Sequence, residues 1–174
     1  MNALIDSHPT AAGTLTLAAS DDGVIACTFR GPAYVQRLLG DTAVEAGDRA
    51  AQWLGLAIEE LDSYFAGGLR EFTVPVDLRL ADPIHRAVLN GLSSVRYGVT
   101  TTYGELAAVL GLPPGSAQAV GKAMAYNPVL IVVPCHRVLG SGGSLVGYAG
   151  GLKTKRHLLD LESADVTPRL ALDL

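Results

Sequence analysis

The sequence predicts an α+β fold in which a small α/β unit precedes a mainly helical unit containing a helix-turn-helix. Three patterns predict this fold: β-rich alternation near the start, one long helical period, and three short helices, two of which have capping signals. The predicted parts are an N-terminal supporting unit over residues 1–77, a C-terminal unit over 78–165 and a tail over 166–174.

The N-terminal unit is predicted to begin with a β-hairpin. Residues 14–18 alternate between polar and apolar side chains, Asp21-Asp22-Gly23 is a turn signal, and residues 24–29 are rich in strand formers. Cys27 lies inside the second strand, where we expect a small buried hydrophobe and not a reactive thiol.

A long helix follows the hairpin. Apolar side chains recur at three- and four-residue spacing over residues 46–65, and Gly67-Gly68 ends the pattern. Residues 71–76 are predicted to form an edge strand or an extended linker, because Pro75 cannot pair within a central strand. No reactive groups converge in this unit, so we expect it to support the rest of the chain.

Two of the helices in the C-terminal unit carry clear start signals. Asp82 is a good N-cap with Pro83 in the first helical position. Thr102 begins the second helix, with Glu105 three residues later as in a capping box. The first of these helices is predicted to bury one face, formed by Ile84, Ala87, Val88 and Leu92.

The third helix, over residues 116–126, completes a helix-turn-helix and has unusually small side chains. Gln118 and Lys122 lie four residues apart and therefore share one face. A slim helix with one or two polar side chains can approach a nucleic-acid groove closely. Close packing against a neighbouring helix is the alternative explanation, and both can hold for opposite faces.

Charge is distributed unevenly along the 174 residues. The net charge is −7 over residues 1–77, +6 over 78–159 and −3 over 160–174, which gives −4 for the chain. A basic central segment is typical of proteins that bind a polyanion, although basic residues also occur simply as solvated surface.

Composition excludes several classes of protein. A hydrophobic content of 49% is sufficient for a packed core, so global disorder is excluded. With two cysteines there is neither a disulfide framework nor a zinc-ligand spacing, which favours a reducing compartment. We find no export signal and no apolar run of about 20 residues, so a cytoplasmic protein without membrane contact is expected.

The strongest chemical signal is Pro134-Cys135-His136-Arg137, which follows the apolar run Val129–Val133. That run is predicted to be a buried strand, which would hold the Cys135 thiol rigidly beside an imidazole. A histidine partner can lower the pKa of a thiol and so activate a nucleophile. The alternative is a core cysteine whose neighbour points elsewhere.

The order of these motifs resembles the O6-alkylguanine-DNA alkyltransferases. The match is strong over residues 100–162, and the N-terminal unit fits the family's ribonuclease-H-like α/β domain only loosely. The family's second domain is winged-helix-like. The matching segments are Thr102-Tyr103-Gly104-Glu105-Leu106-Ala107, Ala119-Val120-Gly121, Asn127-Pro128, Pro134-Cys135-His136-Arg137-Val138, Gly147-Tyr148-Ala149-Gly150-Gly151-Leu152, and Lys155 through Leu159 to Glu162.

The resemblance implies irreversible transfer of a methyl or other alkyl group from O6 of a flipped guanine to Cys135. In this family's scheme His136 is the base, acting through a water molecule, and Glu162 orients it. Asn127 braces the turn that carries the cysteine. Tyr103 protonates the departing base and Lys155 favours its phenolate. The implied base-binding groups are the Cys135 and Val138 carbonyls and the pocket wall Gly147, Tyr148 and Ala149.

The resemblance also implies a partner, double-stranded DNA that contains O6-alkylguanine. No cofactor or metal is implied, and we expect a monomer. The family's intercalating arginine is replaced by Gln118, which brings no cation to the stack. The implied DNA contacts are Gln118, Ala119, Gly121 and Lys122 of the third helix, together with Thr102 and Arg137.

Three other functions remain open at the level of sequence. A non-catalytic sensor of alkyl lesions would lack a reactive cysteine, but the Gln118 replacement keeps this alternative open. A Cys-His hydrolase would need an oxyanion hole, for which no signature is visible. A thiol-sensing regulator would need an effector domain.

Overall fold

The computed structural model describes residues 3–166, and its N-terminal unit is built on a three-stranded antiparallel sheet. The strands are β1 (Leu4–Thr10), β2 (Gly13–Ser20) and β3 (Gly23–Thr28), with Leu17 opposite Cys27 and a register shift at Ala18/Ala19. The predicted hairpin is confirmed as β2 and β3. The sequence-based prediction missed β1, whose side chains are mostly exposed and lack a clear apolar alternation.

Two helices pack against the sheet, α1 (Pro32–Leu39) and α2 (Asp48–Phe65). The predicted long helix is α2, and α1 was not predicted. Alternate residues of β2 face opposite sides of the sheet, as strand geometry requires. Leu17 joins the core that contains Leu61 of α2, whereas Ala18 joins a smaller cluster with Val35 of α1. Cys27 is fully buried, as expected.

Residues 71–76 run along the open side of β3. The Val24 N–H donates to Pro75 O at 2.8 Å, and the Asp77 N–H donates to Val24 O at 2.8 Å. The segment is therefore an extended linker with a single bridge to the sheet. Glu60 of α2 fixes its middle, because its carboxylate accepts from the Thr73 and Val74 N–H groups at 2.9 to 3.1 Å.

The C-terminal unit contains four helices and one very short parallel strand pair within the described residues. The Asp82 carboxylate accepts from two N–H groups at the start of α3, and Thr102 and Glu105 form the predicted capping box. The elements are α3 (Pro83–Gly91), β4 (Thr101–Thr102), α4 (Tyr103–Val109), α5 (Ala117–Ala125), β5 (Val138–Leu139) and α6 (Leu152–Val166), with 3-10 turns over Leu92–Ser94, Cys135–Arg137 and Ser141–Gly143.

The prediction for the buried face of α3 was partly wrong. Ile84 is 75% exposed and Ala87 is also exposed, while Val88, Leu89 and Leu92 are buried. The apolar side chains of this region that reach the core lie in the second half of α3 and just beyond it. Glu162 lies within α6. The predicted tail from residue 167 onward lies outside the described residues.

Residues 129–133, which lead to Cys135, do not form the strand that their apolar character predicted. Residues 129–133 are almost fully buried, but Ile131 has a φ of 73°, which an extended strand does not permit. The run is instead a tight turn on the side of β3. Cys27 anchors it, because its N–H donates to Pro128 O at 2.9 Å and its carbonyl accepts from the Leu130 N–H at 2.8 Å.

One hydrophobic cluster extends through both units. It includes Leu17 and Leu61 from the first unit together with Leu106, Val120 and Leu158 from the second. The two units are therefore packed around shared side chains. None of the helices in residues 3–166 is long and apolar enough to cross a membrane.

Glu60→Ala is expected to lower the free energy of unfolding by about 2–4 kcal/mol, because the buried Val74 N–H and the part-buried Thr73 N–H lose their acceptor. The matched control Glu59→Ala removes an exposed carboxylate from the same helix and should change stability by less than about 0.5 kcal/mol. Urea unfolding at neutral pH measures both. Equal effects would show that Glu60 does not hold the linker.

Candidate active site

Cys135 opens a 3-10 turn and is buried, with 4% of its surface exposed. Asn127 holds the turn through its side-chain amide. Its side-chain amide donates to Val133 O at 3.0 Å and to Cys135 Sγ at 3.1 Å, and its Oδ1 accepts from the Val129 N–H at 3.0 Å. The thiol is therefore fixed in position by its own loop.

The thiol is not activated in this state. Burial raises the pKa of Cys135 to about 11, although the Asn127 hydrogen bond and the positive charge of Lys155 act in the opposite direction. This corrects the expectation that a histidine neighbour lowers the pKa of Cys135. At neutral pH the sulfur is a thiol, so any reaction needs a base that removes its proton.

His136 is the candidate for that base. It is fully buried, and its Nε2 lies 2.7 Å from Glu162 Oε1. Burial lowers the pKa of His136 despite the opposing effect of Glu162, so the ring is neutral. Because the carboxylate can only accept, the proton sits on Nε2 and Nδ1 carries a free lone pair. Nδ1 has no hydrogen-bond partner among the described residues.

The Glu162 carboxylate accepts hydrogen bonds from several parts of the fold. Besides His136, the Tyr64 hydroxyl donates to it at 2.8 Å and the Gly98 N–H at 3.2 Å. Arg137 donates through Nε at 2.9 Å and Nη2 at 3.0 Å. Burial alone would raise the pKa of Glu162, but His136 and Arg137 lower it to about 2. The carboxylate is therefore charged at every physiological pH.

The predicted contact of Arg137 with DNA is corrected by its position. The residue is 6% exposed, and its guanidinium is bonded to Glu162 and to Val95 O at 2.7 Å. It also lies over the ring of Tyr97, at 5.8 Å from the centroid. If Arg137 turned outward to bind DNA, the buried Glu162 carboxylate would lose the guanidinium that pairs with it, which is unfavourable. Arg137 belongs to the interior of the site.

Lys155 is held by the carbonyls of the backbone around the site. Its Nζ is buried and donates to the carbonyls of Val138, Val146 and Gly147 at 2.6, 3.0 and 3.4 Å. It therefore joins β5 to the loop that follows. A carbonyl oxygen has two lone pairs, so Val138 O keeps one for another donor.

Tyr103 approaches Lys155 only through a shared acceptor. Its hydroxyl donates to Val146 O at 3.4 Å, the same carbonyl that accepts from Lys155. Burial raises the pKa of Tyr103, and the nearby Cys135 raises it further. Tyr103 is therefore a phenol at neutral pH and holds a proton that it can give, as the role of a proton donor requires.

A cavity of about 270 Å³ opens above Cys135. Its walls contain four of the residues predicted from the sequence, Tyr103, Gly147, Tyr148 and Ala149, and also part of α5. The Tyr148 hydroxyl is buried and has no hydrogen-bond partner among the described residues. The full lining is Arg30, Tyr103, Gly121, Met124, Ala125, Cys135, Gly147, Tyr148 and Ala149.

The N-terminal unit contributes to this cavity, which the sequence did not predict. Arg30 lies just beyond β3 and lines the cavity. Its neighbour Phe29 packs against the loop of Tyr148. A Cβ atom at Gly150 would lie 2.7 Å from Tyr148 Cε1 and 2.8 Å from Phe29 Cδ2, so only glycine fits there. No motif in the sequence marks Arg30, because it is distant along the chain from Cys135.

Helix α5 presents its predicted face to the outside. Gln118, Ala119 and Lys122 are exposed and line a shallow groove with Gly121, while Val120 and Met124 are turned inward. The Thr102 hydroxyl accepts from the Glu105 N–H as the cap of α4. Among the described residues, no group of three His, Cys, Asp or Glu side chains has a metal-binding arrangement.

Comparison with protein-family models gives two matches that together cover most of the chain. Residues 5–78 match the ribonuclease-like domain of 6-O-methylguanine DNA methyltransferase. Residues 83–164 match the DNA-binding domain of the same family. The α+β fold prediction, with its two kinds of unit, is confirmed.

Known proteins give the same result. A methylated-DNA–protein-cysteine methyltransferase of Mycobacterium tuberculosis is 47% identical over 116 residues, which are 67% of this chain and 69% of that protein. One of Methanosarcina acetivorans is 38% identical over 158 residues, 87% of this chain and 93% of that one.

Solved structures agree. The crystal structure of the Mycobacterium tuberculosis O6-methylguanine methyltransferase has a TM-score of 0.76 at 34% identity. The match covers 97% of this chain and 96% of that chain. A Mycobacterium tuberculosis OGT structure in complex with DNA has a TM-score of 0.75 at 36% identity. That match covers 91% of this chain and 92% of the other.

Glu162→Gln is expected to destabilise the protein above pH 4.5, because a neutral amide cannot balance the buried Arg137. The pKa of Glu162 falls from 4.5 to about 2 on folding, so its stabilising effect is present above pH 4.5 and is lost as the pH falls toward 2. The difference in unfolding free energy between wild type and variant should therefore shrink below pH 4.5. Urea unfolding from pH 7 to pH 3 measures it, and a constant difference would contradict the assignment.

Proposed function

The chain belongs to the 6-O-methylguanine DNA methyltransferase family, and we propose that it repairs DNA by transferring an alkyl group from O6 of guanine to Cys135. Direct-reversal repair by alkyl transfer is the activity of the family, and DNA is the partner. The observation that carries the assignment of Cys135 is its position at the floor of the cavity, backed by His136 and Glu162. We expect a cytoplasmic monomer that acts on double-stranded DNA.

The depth of Cys135 requires that the damaged base leave the duplex. A stacked guanine cannot reach a thiol with 4% exposure at the floor of a cavity. Rotation of the nucleotide out of the stack costs a few kcal/mol, which contacts in the cavity must offset. The Val138 carbonyl, with its second lone pair, would accept from the exocyclic amine of guanine, and Tyr148 and Ala149 would enclose the ring.

Transfer then proceeds as one displacement at carbon. The Cys135 proton passes to His136 Nδ1 through a bridging water, and Glu162 stabilises the imidazolium that forms. The sulfur forms a bond to the alkyl carbon while the carbon–O6 bond breaks, and the bonding pair goes to the base. Tyr103 gives its proton to a ring nitrogen of the departing guanine. Guanine leaves neutral and Cys135 remains as a stable thioether, which ends activity.

Helix α5 supports the grip on DNA in this scheme. Its exposed face combines the small residues Ala119 and Gly121 with the polar Gln118 and Lys122, a profile that fits a minor groove. Gly121 and Met124 of the same helix line the cavity. The groove contact and the base pocket are therefore on adjacent sides of one helix.

Incubation with a duplex that contains one O6-methylguanine should add one methyl group to Cys135. Intact mass and peptide fragmentation measure the addition. Cys135→Ser should acquire no methyl group, because a serine hydroxyl is a far weaker nucleophile than a thiolate. The matched control Cys27→Ser should be methylated like the wild type, since Cys27 is fully buried in the sheet. Tight lesion binding with unmodified Cys135 would contradict transfer and favour the non-catalytic sensor.

Gln118→Arg is expected to accelerate transfer by roughly 3- to 30-fold, because an arginine places a cation against the stack left by the flipped base. Single-turnover kinetics on the same duplex measure the rate. The control Gln36→Arg adds the same charge to an exposed position of α1, away from α5. If both variants accelerate transfer equally, net charge and not the position of the arginine is responsible.

A further inference from the structure

The cavity above Cys135 has one cationic wall that the reaction scheme leaves unused. Arg30 lines the cavity and is exposed, and it comes from the end of β3 in the N-terminal unit. The other cations of the site are committed elsewhere: Lys155 to three carbonyls, and Arg137 to Glu162 and Val95. Arg30 is thus placed to meet a ligand that enters from solvent.

The guanidinium of Arg30 is held without being neutralised. It lies over the ring of Tyr34, at 4.5 Å from the centroid, and it makes no ion pair or side-chain hydrogen bond with the residues from 3 to 166 that the structure describes. Contact with a ring face restricts the guanidinium while leaving its N–H groups at the edge free. Such a group is suited to an anionic acceptor that presents two oxygens to it.

The geometry of entry identifies that acceptor. A flipped guanine must point its O6 group toward Cys135, at the floor of the cavity, so its sugar and the two adjoining phosphates remain at the mouth. Arg30 is exposed at the cavity wall, and therefore meets the backbone and not the buried face of the base. Phosphate oxygens match the paired N–H groups of arginine, and this is a strong form of hydrogen bond.

We propose that Arg30 binds a phosphate that flanks the flipped nucleotide, so that the N-terminal unit forms part of the DNA site. The inference rests on the proposed function. It also bears on Gln118, because a cation at the cavity mouth stabilises the extruded nucleotide itself, whereas the family's arginine fills the space that the base leaves. Arg30 therefore offsets part of what α5 lacks.

The experiment compares duplexes in which one phosphate beside O6-methylguanine is replaced by a neutral methylphosphonate, on the 5′ or on the 3′ side. Wild type should lose roughly tenfold in single-turnover transfer rate with one of the two duplexes. Arg30→Gln should show a similar loss on the normal duplex and little further loss on the modified one. Arg30→Lys should retain part of the rate, and the control Arg37→Gln, an exposed arginine of α1, should behave as wild type.

Two outcomes would overturn the proposal. One is a wild-type rate that is unchanged by either neutral linkage. The other is an Arg30→Gln protein that loses the same factor as wild type on the modified duplex, which would place the phosphate contact on another residue. Failure of the repair function itself is distinguishable, because wild type would then transfer no methyl from the unmodified duplex.

Discussion

The active site depends on one buried carboxylate. Glu162 of α6 accepts hydrogen bonds from Tyr64 in α2, from the backbone at Gly98, and from two consecutive residues of the catalytic turn, His136 and Arg137. A charge in the interior is tolerated only when it is paired and fully hydrogen-bonded, so these elements must sit in fixed relation to one another. The orientation of His136, the proposed base for Cys135, follows from that arrangement.

The N-terminal unit does more than support this arrangement from outside. The backbone of Cys27 in β3 holds both ends of the buried turn that leads to Cys135. Phe29 packs where any side chain at position 150 would collide, and so fixes the loop of Tyr148. Arg30 then reaches the cavity wall. Three nearby positions at the end of one strand therefore set the floor, one wall and the mouth of the site.

Sequence-based prediction was correct for features that are set by residues close together in the chain. The Asp82 cap and the box of Thr102 and Glu105 are formed as expected, because their signals lie within four residues. Arg137 was misplaced because a basic residue beside a catalytic cysteine gives no sign that Glu162, 25 positions away, takes up its charge. Apolar content alone made residues 129–133 look like a strand, whereas Ile131 adopts a left-handed turn that only tertiary packing can impose. Arg30 was not predicted as a site residue because it is distant along the chain from Cys135.

The protonation states explain how a single-use acceptor survives until it meets its substrate. A thiol with a pKa near 11 has little thiolate at neutral pH, and its burial further limits contact with stray electrophiles. His136 is neutral and can take the proton, but an imidazolium in that interior is stabilised only through Glu162. In the proposed reaction, proton transfer is therefore unfavourable by itself and becomes productive when an alkyl carbon is held against the sulfur, since bond formation consumes the thiolate as it appears. The reactivity of Cys135 is a property of the occupied cavity, and the resting protein is chemically quiet because the same burial that builds the site suppresses the thiolate.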